Sequence, residues 1–489
     1  MRLVLVFGLV GQQLRFFSLG FIPPLILALV DGHRDTFTHF SIALTSTFVV
    51  GAISSYRFPK SLVFHRAEAL AVVAFTWLIL GIFAAIPYVL ADLSLADALF
   101  ESFSGLTATG ATVLTDFSRY NRAFFLWRAM TQWFGGLGVI ALFVVILPRL
   151  GIAGRQMFFA EASGAAGEAI SPQARQGARK LWLLYTVLTL VLAIVLMICS
   201  MTPFEAFAHA LTTMSAGGFS PHSQSIAGYA NPAAEWVLIV FMLLAGSSFT
   251  LQWKVFTGRS PGFLTDGEFL FYSSIALVVT LVAAARLAGD LPAFADLRVA
   301  AFQVVSLMTS TGYASVDYNL WDDSLRVLLV VVMLVGGCAG SAAAGPKAVR
   351  LLLVIKHIAR EMTQVLHPRA VRPLRYGGRI VPPEIMRAVF TLVFLYLFGY
   401  FALGVVLVAS GVEWITGFSA ALSCLANIGP GFGVAGPMGS YASFSDWNKL
   451  LLAAAMWIGR LEVVTVLALL HPHVWRNLHL GWRQRTGGN

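Results

Sequence analysis

Long apolar runs separated by short polar stretches dominate the chain. About 20 apolar residues suffice for a helix to cross a bilayer. Runs of that length fall at 3–30, 37–56, 69–91, 123–148, 181–202, 234–256, 268–288, 325–357, 387–410 and 447–471. The pattern predicts ten transmembrane helices. The first carries Gln12, Gln13 and Arg15, which suits an N-terminal part lying at the interface. It resembles a signal peptide only weakly, because no small-residue cleavage site follows it and further spans do, so it is read as a retained helix. Four shorter apolar stretches, at 95–109, 204–216, 298–311 and 414–428, lie between crossings. At around 12–15 residues each is too short to span, and re-entrant half-helices fit that length. An interfacial helix is the alternative for any one of them, but not for four in series.

Each short stretch runs into a glycine turn: LTATGATV (106–113), MSAGGFS (214–220), TSTGYAS (309–315) and ANIGPGFG (426–433). Aligning these on Gly110, Gly217, Gly312 and Gly429 places Phe100, Phe207 and Phe302 ten residues before the glycine, and Phe418 eleven before. The chain therefore reads as four units of helix, half-helix, glycine turn and helix. A leading helix pair occupies 1–60, and the units occupy 61–150, 151–258, 259–365 and 366–489. Four equivalent turns on one chain imply a pseudo-fourfold arrangement about a common axis. An ion crossing a membrane must exchange its hydration shell for other oxygens, and backbone carbonyls from converging loops can supply them. Half-helix C-termini aimed at the centre favour a cation. The expected fold class is an all-α polytopic membrane protein with a cation-conducting pore.

Composition narrows the alternatives. The 489 residues are 58% hydrophobic and 11% charged, with a mean hydropathy of +0.79. Soluble domains carry roughly 25% charged residues, so a soluble enzyme and a disordered chain are both excluded. A net charge of +10 would suit nucleic acid only if the bases clustered on one folded domain. With a cytoplasmic N-terminus and alternating spans, most of the 33 Lys+Arg instead fall in loops on the inner side. Most of the 23 Asp+Glu then fall outside, as the positive-inside rule requires. Both termini are expected in the cytoplasm, and the half-helices enter from outside. Cys199, Cys338 and Cys424 sit in apolar context without metal-ligand spacing and read as packing residues.

The four turns, WRAMTQWFGGLGVIALFVVILP (127–148), GGCAG (336–340) and GRLEVVTVLALL (459–470) together resemble the TrkH/KtrB superfamily of bacterial potassium transporters. The leading helix pair resembles the TrkH branch. The resemblance implies potassium uptake across the inner membrane, with K⁺ as the substrate ion and no cofactor on this chain. It also implies a homodimer and a cytosolic TrkA-type nucleotide-binding partner; the basic stretch from Lys347 to Arg387 is either its dock or simply the largest positive inner loop. Carried over by position, the filter is Ala108-Thr109-Gly110, Ser215-Ala216-Gly217, Ser310-Thr311-Gly312 and Asn427-Ile428-Gly429. The selectivity for K⁺ comes from the resemblance, since filters of similar chemistry pass Na⁺ or K⁺.

Arg460 lies in the middle of the last apolar run, where a charge costs at least about 2.5–3.5 kcal/mol. The resemblance places it below the filter as an electrostatic barrier, rather than in a purely structural ion pair; Glu462, two residues on, does not face it along a helix. The run 325–357 is interrupted by GGCAGSAAAGP (336–346), and glycines and proline disfavour continuous helix there. A break below a filter reads as a movable gate comprising Gly336, Gly337, Gly340, Gly345, Pro346 and Lys347, or as a kink for close packing. The family usually shows a run like GSTGGGIK where this chain has GSAAAGPK (340–347), so a stiffer loop is expected. GGLG (135–138) lies inside a crossing and serves packing, not nucleotide binding. His471 and His473 flank Pro472 at a helix end and read as interface anchors. Asp92, Asp97, Glu101 and Asp116 fall near the outer mouth, either concentrating cations or forming an ordinary solvated loop. No hydrolytic constellation is present, and the chain is not read as an enzyme. The rival readings are a Na⁺-permeable or Na⁺/H⁺-coupled relative, including K⁺ symport, and an alternating-access carrier.

Overall fold

The computed structural model describes residues 3–56, 66–141, 172–258, 262–288, 293–369, 372–470 and 472. Residues 142–148, His471, His473 and the unit boundaries near 60 and 150 lie outside them. Among the described residues the protein is helical except for one short antiparallel pair, Arg375–Tyr376 with Arg379–Ile380. The N-terminal span comprises α1 (Leu3–Ser18) and α2 (Ile22–Val30), joined by one 3₁₀ turn, with α3 (Arg34–Ser55) returning beside them. Pro23 and Pro24 fall in the first turn of α2, where their missing N–H groups cost nothing.

The first unit is α4 (Arg66–Ala84), α5 (Ile86–Leu90), α6 (Leu95–Leu106) and α7 (Arg122–Ala141). The second is α8 (Pro172–Ile198), α9 (Pro203–Met214), α10 (Pro232–Ala245) and α11 (Phe249–Phe256). The third is α12 (Gly267–Leu287), α13 (Ala293–Met308), α14 (Asp323–Met333) and α15 (Ala348–Leu366). The fourth is α16 (Pro383–Ala409), α17 (Trp414–Leu425), α18 (Asp446–Arg460) and α19 (Val463–Leu470). The four half-helices are α6, α9, α13 and α17, close to where the apolar pattern puts them.

Polar caps set where half-helices begin. The Ser94 side chain accepts from Asp97 N before α6, Thr202 forms a capping box with Glu205 before α9, and Glu413 accepts from Ile415 N and Thr416 N before α17. Such caps satisfy N–H groups that have no partner within the helix. Each half-helix then packs against the second helix of the preceding unit: α9 on α7, α13 on α10, α17 on α14, and α6 on α18. The last pairing joins the fourth unit to the first and closes a ring.

By length and composition six described helices can cross a membrane, or seven if the bent α10–α11 pair is one span. The other three expected crossings are α7, described only as far as Ala141, and the interrupted pairs α14–α15 and α18–α19. Outward faces are apolar: Phe394, Phe398 and Phe401 on α16 and Leu277 and Val278 on α12 are all exposed. Such surfaces suit lipid, not water. The protein is an all-α polytopic membrane protein.

Two runs read as continuous helices are broken. The run 234–256 bends by 103° between α10 and α11. The carbonyls of Ala245 and Gly246 there accept from Ala342 N and Cys338 N, and Phe249 N donates to Gly340 O. These long-range partners replace the bonds a continuing helix would supply. The run 447–471 breaks at Leu461 and Glu462, where Glu462 takes φ 64° and its carboxylate pairs with Arg350 at 2.6 Å. The break read in 325–357 is present and spans residues 334–347.

Candidate functional site

The four turns share one backbone conformation. At the end of each half-helix, the N–H groups of Thr109, Gly217, Thr311 and Ile428 reach back five residues, to the carbonyls of Ser104, Thr212, Ser306 and Ser423, at 2.8–2.9 Å. The residues just before them, Ala108, Ala216, Ser310 and Asn427, take φ of 52°, 55°, 55° and 52°. Left-handed conformations cost about 1–2 kcal/mol for non-glycine residues, and such strain collects at functional sites. One residue further on, Gly110, Gly218, Gly312 and Gly429 take φ of 88°, 77°, 79° and 107°.

This corrects the register of the second turn. The triplet equivalent to Ala108-Thr109-Gly110 is Ala216-Gly217-Gly218, not Ser215-Ala216-Gly217. Ser215 still belongs to the helix end, with its N–H bonded to Leu211 O. The misleading signal is Phe207, which is 40% exposed, whereas Phe100 and Phe302 are fully buried; Ala208 occupies the equivalent buried position. The caps would have given the right frame, because Ser94 to Gly110, Thr202 to Gly218 and Glu413 to Gly429 are equal distances along the chain.

The turns interlock in sequence around the axis. A Cβ added to Gly110 would collide with Gly217 O, one on Gly218 with Thr311 O, one on Gly312 with Ile428 O, and one on Gly429 with Thr109 O. All four separations fall under 3.0 Å, which real Cβ atoms essentially never show. Each glycine thus makes room for the carbonyl of the next unit, and the fourth makes room for the first. The four glycines also line one pocket with Thr112, Phe219, Ser220, His222 and Tyr441.

Side chains brace this ring from behind. Gln132 donates Nε2–H to Gly217 O at 2.7 Å and accepts from Phe219 N at 3.1 Å. Asn427 Nδ2 donates to Thr109 Oγ1 at 2.8 Å and to Met456 O at 2.9 Å, and Tyr441 OH donates to Gly429 O at 2.9 Å. The Arg128 guanidinium binds Glu101 Oε1 at 2.7 Å, Ser220 O at 3.2 Å and Thr112 Oγ1 at 3.1 Å. It thereby ties the segments leaving the first and second glycines. Glu101 also accepts from Val113 N at 3.1 Å. Glu101 is fully buried, so it does not concentrate cations at the mouth. Asp97 is engaged as well, by Lys449 at 2.6 Å, and Asp116 accepts from Ser118 N.

The TrkH cation transport protein family matches residues 35–474. The Trk system potassium uptake protein TrkH of Halomonas elongata is 34% identical over 97% of this chain and 100% of its own length. Its namesake from Salmonella typhimurium is 36% identical over 96% of this chain and 98% of its own. The chain belongs to the TrkH family. The crystal structure of the potassium transporter TrkH from Vibrio parahaemolyticus superposes with a TM-score of 0.88 at 32% identity, covering 97% of this chain and all of the other. Membership of the TrkH family makes the chain a transporter, not an enzyme.

Within this TrkH-family fold the loop 334–347 packs against the end of the third half-helix, where Ala344 N donates to Ser310 Oγ. Gly336, Gly340, Gly345 and Lys347 all take positive φ, at 72°, 75°, 85° and 67°. Gly337 O accepts from Ala348 N, and Pro346 and Lys347 lead into α15. The Glu268 carboxylate on α12 accepts from Ala339 N at 2.7 Å and Val349 N at 3.2 Å, tying the middle of the loop to the start of α15. Lys347 Nζ donates to Ala343 O at 2.7 Å. Arg460, 6% exposed, donates through Nη1 to Ala342 O at 3.1 Å and through Nη2 to Gly135 O at 3.3 Å. Among the described residues no carboxylate forms a salt bridge with it. Sequence reasoning singled out Arg460 and the loop separately; the structure brings them into contact. It missed Glu268, Gln132 and Arg128, of which only Arg128 carried a signal, as a charge inside an apolar run.

Proposed function

We propose that this chain takes up potassium across the inner membrane through the ring formed by the carbonyls of Thr109, Gly217, Thr311 and Ile428, with neighbouring carbonyls of the same turns. The observation that carries the reading is the cyclic interlock, in which each positive-φ glycine admits the next unit's carbonyl. A dehydrated cation meets oxygen ligands there without a fixed charge to trap it. The half-helices add the negative ends of their dipoles. Below the ring, Arg460 and the 334–347 loop control passage, the charge raising a barrier and the loop occupying the path. Potassium is the ion named for the relatives from Halomonas and Salmonella. A homodimer and a cytosolic TrkA-type partner docking on the basic stretch from Lys347 to Arg387 complete the proposal, with both termini in the cytoplasm.

The test is uptake in cells lacking their own K⁺ transporters, at limiting external K⁺, comparing wild type with Gly312→Ser. Wild type is expected to restore growth and accumulate Rb⁺, and the variant to lose selectivity over Na⁺. A wild type indistinguishable from empty cells, even with a TrkA-type partner supplied, overturns the reading. Equal uptake of Na⁺ and Rb⁺ by wild type favours the Na⁺-permeable alternative.

A further inference from the structure

Ser310 belongs to the ring and to the loop at once. Its backbone opens the third turn at φ 55°, while its hydroxyl oxygen accepts a 2.8 Å hydrogen bond from Ala344 N in the 334–347 loop. Both residues are buried, at 2% and 7% exposure. The equivalent positions behave differently. Ala108 and Ala216 have no polar side chain, and Asn427 turns instead to Thr109 and Met456. Among the described residues only the third turn is bonded to the loop through this side chain. The other holds on the loop come from outside the ring, among them Ala245, Gly246, Phe249, Glu268 and Arg460.

We infer that Ser310 is a positioning residue that latches the closed loop to the third turn of the filter. The inference rests on the reading of the loop as the gate. The segment GSAAAGPK carries three alanines, Ala342 to Ala344, which offer no side-chain hydroxyl and leave backbone N–H groups to make the contact. Ser310 supplies the acceptor for one of them. A buried N–H without a partner is costly, so removing that acceptor raises the energy of the closed loop alone. When the loop is displaced, the Ala344 N–H is free to meet water. Loop departure and release of the third turn are then one event.

The test is Ser310→Ala, with Ser310→Gly as a second variant. Alanine occupies the same backbone conformation natively at Ala108 and Ala216, and glycine favours it. The full chain carries Cys199→Ser and Cys424→Ser, leaving Cys338, 2% exposed in the loop, as the single thiol of the three in the sequence. Two rates are read in proteoliposomes: maleimide labelling of Cys338, and Rb⁺ flux with its ratio to Na⁺. The expected result is labelling about 2- to 10-fold faster, the equivalent of one lost net hydrogen bond, with Rb⁺ flux raised. Unchanged labelling in both variants overturns the latch, whatever happens to flux. A changed ion ratio with unchanged labelling does the same and makes Ser310 a filter residue only. If wild type conducts no Rb⁺ while the variants still speed labelling, the latch stands and the conduction reading falls.

Discussion

The register of the second turn makes a sharp prediction, because two adjacent glycines have different neighbours. Gly218 takes φ 77°, and a Cβ there would strike Thr311 O, a backbone atom of the ring. Gly217 is not at positive φ, and a Cβ there would meet the Gln132 carboxamide, with Oε1 and Cδ at 2.5 Å. That carboxamide ends a flexible side chain and can move. Gly217→Ala therefore sacrifices about 0.5–1.5 kcal/mol, the worth of the Gln132 bond to Gly217 O. Gly218→Ala costs about 1–2 kcal/mol for the left-handed alanine, and it also drives the Thr311 carbonyl out of position. The first loss should shift the Rb⁺ concentration for half-maximal uptake by about 2- to 10-fold. The second should abolish discrimination between Rb⁺ and Na⁺. The assay is Rb⁺ and ²²Na⁺ uptake by cells expressing each variant at matched membrane levels. If Gly217→Ala loses selectivity while Gly218→Ala keeps it, the structural register is wrong and so is the ring that depends on it.

Arg460→Gln removes a buried charge and weakens the hold on Ala342 O. Inward Rb⁺ flux should rise about tenfold or more, since hydrogen bonds from charged groups are worth about 1.5–3 kcal/mol; unchanged or reduced flux would count against a barrier role. Arg128→Met leaves Glu101 buried without its partner, a change that costs about 3–5 kcal/mol. The variant should unfold at lower temperature in detergent than wild type, and Glu101→Leu in the same chain should recover part of the loss. A double variant no better than the single would mean that the pair does not act as a unit.

The fourfold organisation is legible because it is written in chemistry that few substitutions satisfy. At Gly110, Gly312 and Gly429 both the backbone angle and the neighbouring carbonyl demand glycine, so the residue recurs while its neighbours vary. The second turn defeats the alignment because two glycines stand side by side and Phe207 imitates the spacing of Phe100 and Phe302 from the lipid side. Arg460 shows itself as a charge in an apolar run, but its partners, Ala342 O and Gly135 O, are backbone atoms that no composition reveals. The break between α10 and α11 leaves no local mark stronger than Gly246-Ser247-Ser248. Its cause lies some ninety residues away, in the N–H groups of Cys338 and Ala342.

Those two breaks explain each other. The helix end at Ala245 and Gly246 has carbonyls without intrahelical partners, and α11 begins with the N–H of Phe249 in the same state. The loop between α14 and α15 presents Cys338 N, Ala342 N and Gly340 O to these groups. Within a bilayer an unsatisfied backbone group costs several kcal/mol, so neither break is tolerable without the other. On the proposed gating, the loop cannot leave dry: at least three backbone bonds to the α10–α11 corner must be replaced as it goes. The replacement at hand is water entering along the path the loop vacates. On that proposal, departure of the loop and hydration of the α10–α11 corner are a single step. The alanine-rich loop fits this economy of contacts, because its small side chains leave the backbone groups themselves to make the seal.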